Sequence, residues 1–309
     1  MVESNFLSTA QVAQILGVSV ASIKRWVDDG TLPAYKTNGG HRRLLLGDVR
    51  HFARSHEFPQ ADLQRLGFIS EDEIRNGSLD WKVVYDLLLE CDSEKVRELL
   101  LSNYHAGILL EELADRILAP ALTQIGQDWE VGKIDVYQEH QATRICEEVL
   151  FEIKSVVGSC SSEDAPLAIG AAPEWDPTVI PNLIIQMVLL ENGWDAINLG
   201  PSTPLMSLEK VVRDRQPKLL WLSMSHPVSD KLSFIEQFHR LHEAAEANKT
   251  AVAIGGRALT QEWRSTLPYT FFGDGISHLS RFARSLLPNS KRRPKGRKPK
   301  NSENNNTTN

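Results

Sequence analysis

Cysteine is scarce in this chain, with three among 309 residues. The three, Cys91, Cys146 and Cys160, are too few for a disulfide framework and lack the spacing of zinc ligands. They favour a protein of a reducing compartment. Long apolar runs are also missing, since none approaches the length that spans a membrane, and the N-terminus lacks the pattern of a signal peptide. These absences exclude a secreted disulfide-rich protein and a membrane protein, and they favour a cytoplasmic one.

The sequence also lacks a nucleophile–base pair or a metal-binding cluster of the kind that enzymes use. We therefore expect a protein that acts by binding and is not an enzyme. At 309 residues the chain is long enough for two or three domains, each with a core of its own.

Charge is unevenly distributed along the chain. Residues 1–56 contain seven Lys/Arg and four Asp/Glu, residues 57–280 contain 18 and 35, and residues 281–309 contain nine and one. The net charge of −6 thus combines a slightly basic N-terminal part, an acidic body and a basic tail. Because an acidic body repels phosphate, any contact with nucleic acid belongs to the N-terminal part, with or without help from the tail.

The first 56 residues have the pattern of a small helical domain with a turn. Ser8, followed three residues later by Gln11, is a capping box that opens an amphipathic helix, and Gly17 ends this helix. Ser19 can cap a second helix, whose polar side chains point away from its apolar face. The spacing therefore predicts two short helices joined by a tight turn.

A short extended stretch and a Gly-Gly hairpin follow the second helix. The hairpin sequence Asn38-Gly39-Gly40-His41-Arg42-Arg43 carries side chains that can reach along a phosphate backbone. A helix that offers donors to base edges, followed by such a basic wing, predicts binding to double-stranded DNA. The candidate DNA-contacting residues are Ser22, Lys24, Arg25, Lys36, His41, Arg42 and Arg43.

This order of helix, turn, helix and GGHRR-type wing resembles the MerR-type and excisionase-like winged helix-turn-helix families. The resemblance implies a transcriptional regulator that binds an operator. Because one such head covers a single half-site, we also expect a homo-oligomer that is held together by the remainder of the chain. We assign residues 1–56 to this domain, and residues 57–77, which mix Pro, Gly and charge, to a linker.

From residue 78 to residue 160 apolar residues recur at helical spacing. Four stretches, which include Leu87, Leu99, Leu113 and Val149, have this period. Their short connections predict a four-helix bundle.

Residues 161–288 alternate short apolar runs with helical stretches. The runs are LAIG at 167–170, AINL at 196–199, LLWL at 219–222, AVAI at 251–254 and TFF at 270–272. Five buried strands with crossover helices predict a parallel, doubly wound, flavodoxin-like (Rossmann-like) sheet, which binds ligands at the C-terminal ends of its strands. The basic tail, residues 289–309, has no apolar residue that could build a core, and we expect it to be disordered.

The stretch from Leu118 to His140, with Trp129 and the pair Glu139-His140, resembles the helical cap of cobalamin-binding proteins. The resemblance is strongest to the CarH/LitR-type light-sensing regulators, which place such a cap after a MerR-type head. In that family the Trp and the Glu-His pair lie over the upper face of the corrin. The resemblance implies the same place for Trp129, Glu139 and His140.

The sheet domain resembles the cobalamin-binding Rossmann-like domain. Ser223-Met224-Ser225 ends the third strand where that family has a Ser-x-Leu/Thr motif, and Gly255-Gly256 follows the fourth strand. At the glycines the backbone would approach the nucleotide tail of the cofactor. The cofactor-binding candidates, if cobalamin binding is retained, are Trp129, Glu139, His140, Asp176, Ser223, Ser225, Gly255 and Gly256.

The cobalt ligand of that family is missing from its usual place. The family carries Asp/Glu-x-His-x-x-Gly after the first strand, and the aligned residues here are Glu174-Trp175-Asp176-Pro177-Thr178-Val179. Asp176 occupies the position of the His, and a carboxylate is a poorer match than an imidazole for cobalt. Glu130 likewise stands where light-sensing members tend to carry a second His. We therefore assign no metal ligand.

Three explanations for this departure are open. The pocket holds cobalamin with its own base on cobalt, or it recruits another ligand such as His226 at the end of the third strand, or it no longer binds cobalamin. Two main classes of function follow: a DNA-binding regulator whose C-terminal half senses a ligand or controls assembly, and a corrinoid carrier fused to a DNA-binding head. A DNA-bound scaffold that only mediates protein contacts is a third. The loss of the His argues against the carrier, because a carrier needs a working cobalt site.

Overall fold

The computed structural model describes residues 6–36, 41–45, 48–49, 52–53, 58, 80–105, 107–157 and 165–287. The hairpin tip at 37–40, all but one residue of the predicted linker, the predicted tail and Cys160 lie outside the described residues.

The N-terminal head is a helix-turn-helix with a small antiparallel sheet. Strands β1 (Phe6–Ser8), β2 (Tyr35–Lys36) and β3 (Arg42–Leu45) pair in the order β1-β3-β2, and helices α1 (Thr9–Leu16) and α2 (Val20–Asp28) lie between β1 and β2 in sequence. The predicted capping box is confirmed, because the Ser8 hydroxyl accepts from the Gln11 amide at 3.2 Å and the Gln11 side chain accepts from the Ser8 amide at 2.8 Å. Gly17 ends α1 with a φ of 65°, in the left-handed region that glycine adopts without strain.

The head has a hydrophobic core of its own. Its fully buried side chains include Val12, Leu16, Ile23, Leu32 and Leu44. Trp26 packs against Phe52 and Phe58, at ring-centroid distances of 5.0 Å and 5.8 Å. The packing of Phe58 extends the head beyond residue 56, where the sequence suggested that the linker begins.

The predicted bundle is present. Its helices are α3 (Trp81–Leu89), α4 (Ser93–His105), α5 (Leu110–Leu113) continued by α6 (Ala119–Glu130), and α7 (Val136–Val157). A π-helical turn, Ala114–Leu118, joins α5 to α6 and closes with the Ala119 amide donating to the Ala114 carbonyl. Pro120 follows this turn near the start of α6, where its lack of an amide hydrogen is tolerated.

The predicted doubly wound domain is also present. Strands β4 (Leu167–Ala171), β5 (Asp195–Asn198), β6 (Leu219–Ser223), β7 (Ala251–Gly255) and β8 (Phe271–Gly273) form a parallel sheet in the order β5-β4-β6-β7-β8. Its helices are α8 (Ile180–Glu191), α9 (Leu205–Arg215), α10 (Lys231–Ala247), α11 (Gln261–Thr266) and α12 (Ile276–Leu286). This is the flavodoxin-like order, and it places the topological switch point, where ligands of such sheets bind, between β4 and β6.

The bundle and the sheet domain share one hydrophobic core, although the sequence suggested a boundary at residue 160. Leu183 and Met187 of α8 belong to the same buried cluster as Ile145, Val149 and Ile153 of α7. The two units are therefore packed as one body.

Acidic side chains of the bundle also bind the last helix of the sheet domain. Asp115, in the π-helical turn, accepts from the amides of Ile276 and Ser277 at 2.8 Å and 2.9 Å. Glu111 is buried and accepts from the Ser280 hydroxyl at 3.1 Å. A carboxylate at the N-terminus of α12 satisfies amides that a helix leaves unpaired, so these contacts stabilise the docking of the bundle.

The described residues include the long helices and one buried cysteine. None of the helices described is both long and apolar enough to cross a membrane. Cys146 lies in the shared core, where burial raises the pKa of its thiol to about 12, so this thiol serves packing.

Candidate functional site

The second helix of the head presents basic residues to solvent. Lys24 and Arg25 of α2 are exposed, while Ile23 between the turn and these cations is fully buried. Ser22 is half-buried, and its hydroxyl lies 3.0 Å from that of Ser19, the residue that caps α2. The helix in the recognition position thus combines a satisfied N-cap with exposed cations that can reach DNA.

The two arginines of β3 lie in different surroundings. Because side chains alternate along a strand, Arg42 is on the side of the buried Leu44, and Arg43 is on the other side. Arg42 Nη2 donates to Asp28 Oδ1 at 2.5 Å, which ties the strand to the end of α2, and 24% of the Arg42 side chain is exposed. Arg43 is exposed. The better candidate for a phosphate contact on the wing is therefore Arg43.

The two other predicted DNA-contacting residues flank the hairpin tip. His41 is exposed and precedes β3 directly. Lys36 ends β2 and pairs in register with Arg42, but its side chain is outside the described part of the chain.

Asp176, which the sequence resemblance aligns with the cobalt ligand, is fully buried beyond the carboxyl end of β4. Its Oδ1 accepts from the Thr178 amide at 3.0 Å and lies 3.1 Å from His226 Nδ1. Its Oδ2 accepts from the amide of Ser225 and from that of His226, the latter at 3.2 Å. The carboxylate thus joins the loop after β4 to the loop after β6, across the switch point.

These hydrogen bonds keep Asp176 ionised. Burial by itself would raise the pKa of the carboxyl, but the hydrogen bonds from Thr178, the Ser225 amide and His226 outweigh burial and lower the pKa below its ordinary value of 3.8. An ionised carboxylate whose two oxygens are both bound by the chain is a structural anchor.

Trp175 and His226 add two further contacts to this closure. The Trp175 indole packs edge-on against Phe234, with 4.9 Å between ring centroids, and its Nε1 donates to the His226 carbonyl at 3.2 Å. His226 Nδ1 also lies 3.2 Å from the Thr178 hydroxyl, and 45% of the His226 side chain is exposed. The structure therefore brings His226, which the sequence offered as another ligand, directly to Asp176.

Gly255 ends β7, and Gly256, which follows it, is required by packing within the chain. Gly256 has a φ of 115°, and a Cβ placed on it would lie 2.3 Å from the Met224 carbonyl oxygen. The Gly255 carbonyl accepts from the Met224 amide at 2.8 Å. Of the serines beside Met224, Ser223 is buried and Ser225 half-buried. The close backbone approach that the sequence suggested for a cofactor is made here by the backbone of Met224.

The predicted cap residues lie around the turn between α6 and α7. Trp129 is 46% exposed near the end of α6. Glu139 is half-buried in the first turn of α7, where it accepts from the Thr143 hydroxyl at 3.1 Å, and the exposed His140 has its Nε2 3.6 Å from Glu139 Oε2. The structure thus brings Glu139 and His140 together, on the helix that follows Trp129.

A buried carboxylate that the sequence did not indicate holds this turn. Asp128 accepts from the Tyr85 hydroxyl of α3, from Lys133 Nζ at 2.7 Å and from Gln124 Nε2 at 2.9 Å. The hydrogen bonds from Lys133 and Tyr85 lower the pKa of Asp128. Because Tyr85 lies on a different helix, no local sequence pattern could have revealed the group.

Arg257, which the sequence did not indicate either, lies between the bundle and the sheet. Its Nε donates to the Ser225 carbonyl at 3.0 Å, and a Cβ added to Gly126 of α6 would be 3.6 Å from its Nη1. Gly126 and Trp129 are three residues apart and so share a face of α6. That face is therefore directed to the loops that follow β6 and β7.

The group that the resemblance implies is cobalamin held from below by an imidazole, and the residues present do not fit that form. Asp176, which the resemblance places at the ligand position, already binds donors from the chain through both of its oxygens. The backbone of Met224 covers Gly256.

Comparison with known proteins agrees with this architecture. Residues 6–57 match a family model described as a helix-turn-helix domain, and residues 82–154 match one described as a B12 binding domain. Trimethylamine corrinoid protein 1 of Methanosarcina acetivorans is 22% identical over 207 residues, which cover 65% of this chain and 94% of that protein. The structure of the monomethylamine corrinoid protein of Methanosarcina barkeri has a TM-score of 0.57 at 16% identity, and the match covers 66% of this chain and 96% of that chain. The chain therefore joins an N-terminal helix-turn-helix domain to a B12 binding domain and a Rossmann-like sheet.

Proposed function

We propose that this protein is a sequence-specific transcriptional regulator of the MerR type, which binds double-stranded operator DNA as a homo-oligomer. It works in the cytoplasm, by binding and not by catalysis. Its C-terminal half is a sensor or assembly module that does not hold cobalamin through an imidazole from below.

The observation that carries the DNA-binding part is the set of exposed cations on the head. Lys24 and Arg25 on α2 and Arg43 on β3 are all exposed. The body, residues 57–280, contains 18 Lys/Arg against 35 Asp/Glu. The head is therefore the part of the described chain that can approach a phosphate backbone without electrostatic repulsion.

The part of the proposal that concerns cobalamin is supported by the surroundings of Asp176. A metal ligand needs a free lone pair directed at the metal, whereas both oxygens of this buried carboxylate accept hydrogen bonds. Carboxylate oxygen is also a harder donor than cobalt prefers.

Replacing Arg43 by Ala in the full-length protein should weaken DNA binding and lower the slope of log K against log salt by about 0.9, since one phosphate contact releases its counterions. The thermal stability should not change, because Arg43 is exposed. Arg42→Ala should instead destabilise the head by about 1 kcal/mol, because it removes the partner of Asp28. Fluorescence anisotropy of a labelled duplex at several salt concentrations, with thermal unfolding, measures both effects.

The matched control is Arg213→Ala, an exposed arginine on α9 of the body whose removal changes the net charge by the same amount. It should leave the affinity and the slope unchanged. An unchanged slope for Arg43→Ala, or an equal loss of affinity for Arg213→Ala, would show that Arg43 on the wing does not contact a phosphate.

A second candidate is a cobalamin-dependent regulator or a corrinoid carrier, and one observation favours it. Asp176 holds His226 Nδ1 at 3.1 Å, and histidines that bind metals commonly place their other ring nitrogen against a carboxylate. In this candidate His226 would bind cobalt through Nε2. A base-off cobalamin spectrum that His226→Ala abolishes would establish it, whereas our proposal predicts no such spectrum for either protein.

A further inference from the structure

The two strands that flank the switch point meet at a glycine and a tryptophan. Gly170 of β4 pairs in register with Trp221 of β6. A Cβ placed on Gly170 would lie 2.0 Å from Cδ2 and 2.2 Å from Cε2 of the Trp221 ring. A glycine inside a strand often marks the close approach of another group, and here that group is the flat indole of Trp221.

The indole lies in a closed slot against the sheet. Trp221 is 1% exposed, and the same buried cluster contains the small residues Ala168, Ala253 and Ala283. Asn182 of α8 accepts through Oδ1 from Trp221 Nε1 at 2.9 Å. The slot therefore holds a flat bicyclic ring and provides an acceptor for the ring nitrogen.

The polar side of the slot provides a hydrogen-bond donor that an indole cannot pair. Asn182 is 1% exposed, and its Nδ2 has no partner among the described residues. An indole has a single N–H donor and no acceptor, whereas a benzimidazole has a donor and an acceptor. The spare donor of Asn182 therefore suits a heterocycle with a second, accepting ring nitrogen better than it suits an indole.

We infer that the Trp221 side chain fills a slot at the switch point that would otherwise accept a flat nitrogen heterocycle. Benzimidazole is the relevant chemical class, because cobalamin carries a benzimidazole base that needs a place of its own once an imidazole replaces it on cobalt. The inference rests on the proposed function and deepens it. The C-terminal half works without cobalamin held through an imidazole, because the Trp221 ring fills the slot that the displaced benzimidazole base would need.

The test is a titration of full-length Trp221→Ala with benzimidazole. Calorimetry measures the binding, and thermal unfolding measures the melting temperature with and without benzimidazole. The variant should bind benzimidazole with a Kd below about 1 mM and rise in melting temperature, while the wild type should show neither effect. Indene, a hydrocarbon of the same shape without nitrogen, leaves Asn182 unpaired. It should therefore bind the variant about tenfold more weakly.

The matched control is Trp194→Ala, because Trp194 is fully buried in the same cluster and its Nε1 has no partner in the part of the chain that the structure describes. The cavity in this control should show no preference for benzimidazole over indene. If Trp221→Ala does not fold, Trp221→Leu serves for the same titration. If neither variant folds, the yield of refolding in the presence of benzimidazole or indene is measured instead of the titration. Benzimidazole should give the higher yield.

Two results would overturn the inference. One is equal affinity, or equal refolding yield, with benzimidazole and indene for the Trp221 variants. The other is binding of benzimidazole by the wild type, which would mean that the slot is open beside Trp221. Neither result depends on DNA. Failure of the proposed function would appear separately, as loss of salt-dependent DNA binding by the wild type.

Discussion

Asp176→Ala is expected to destabilise the sheet domain by about 3 kcal/mol, since removing one member of a buried charged hydrogen-bond group leaves its partners unpaired. The Asp176 side chain is fully buried, and it accepts from Thr178, Ser225 and His226. Without it, the amides of Ser225 and His226 lose their acceptor. Urea denaturation of the full-length protein, followed by circular dichroism, measures the change in the free energy of unfolding.

Acid should reproduce part of this loss in the wild type. Because the folded-state pKa of Asp176 is lowered, its stabilisation is fully present above the ordinary value of 3.8 and is lost as the pH falls through the lower folded-state pKa. Asp176→Asn should lack this component of the pH dependence. Asp195→Ala, at an exposed carboxylate on β5, is the control and should change the stability by less than about 0.5 kcal/mol. Equal stability of Asp176→Ala and the control would show that Asp176 is not an anchor.

The same contacts decide what happens when the residues of the cobalamin-binding pattern are restored. Asp176→His combined with Val179→Gly returns the missing imidazole and glycine to the loop after β4. A neutral imidazole accepts at one nitrogen only, so it cannot replace a carboxylate that binds donors from Thr178, Ser225 and His226. We therefore expect this double variant to lose stability without gaining affinity for cobalamin. A gain in affinity would show that the pocket is intact apart from its ligand.

Truncation after residue 77 is expected to leave a folded head that binds the operator about 100-fold more weakly than the full-length protein. The head has its own core, which includes Ile23 and Leu44, so it should fold. It contacts a single half-site, however, and the second contact depends on the assembly of two heads. An operator selected by the full-length protein from a random duplex pool, followed by anisotropy titration, provides the measurement.

The matched control for truncation is the same head fused at residue 77 to a two-stranded coiled coil. This fusion should recover most of the lost affinity, because it restores two heads without restoring the body. Equal affinity of the isolated head and the full-length protein would remove the case for assembly through the body.

The features that the sequence predicted correctly depend on neighbours along the chain. Ser8 and Gln11 are three residues apart, and their reciprocal hydrogen bonds form as the capping-box pattern indicates. The five strands likewise follow from short apolar runs separated by helical stretches, and their flavodoxin-like order is the usual result of crossover connections.

The features that the sequence could not predict join residues that are far apart in it. Arg42 pairs with Asp28 across the head, and Asp176 binds the amides of a loop about 50 residues later. Trp221 was predicted as part of a strand, but nothing local indicates that its ring lies over Gly170. A pattern assigns a residue to an element or aligns it with a family position, whereas its role depends on which partner the tertiary structure brings to it.

If this protein binds DNA without cobalamin held through an imidazole, cobalamin should change neither its own spectrum nor the DNA affinity when the two are mixed. Full-length protein is mixed with adenosyl-, methyl- or hydroxocobalamin, in darkness and in light, and absorbance and DNA affinity are recorded on the same samples. We expect each cobalamin to keep the spectrum of its base-on form, and the affinity for the selected operator to be the same with and without it. A base-off spectrum at one cobalamin per chain, accompanied by a change in DNA affinity, would show that the protein is a cobalamin-dependent regulator.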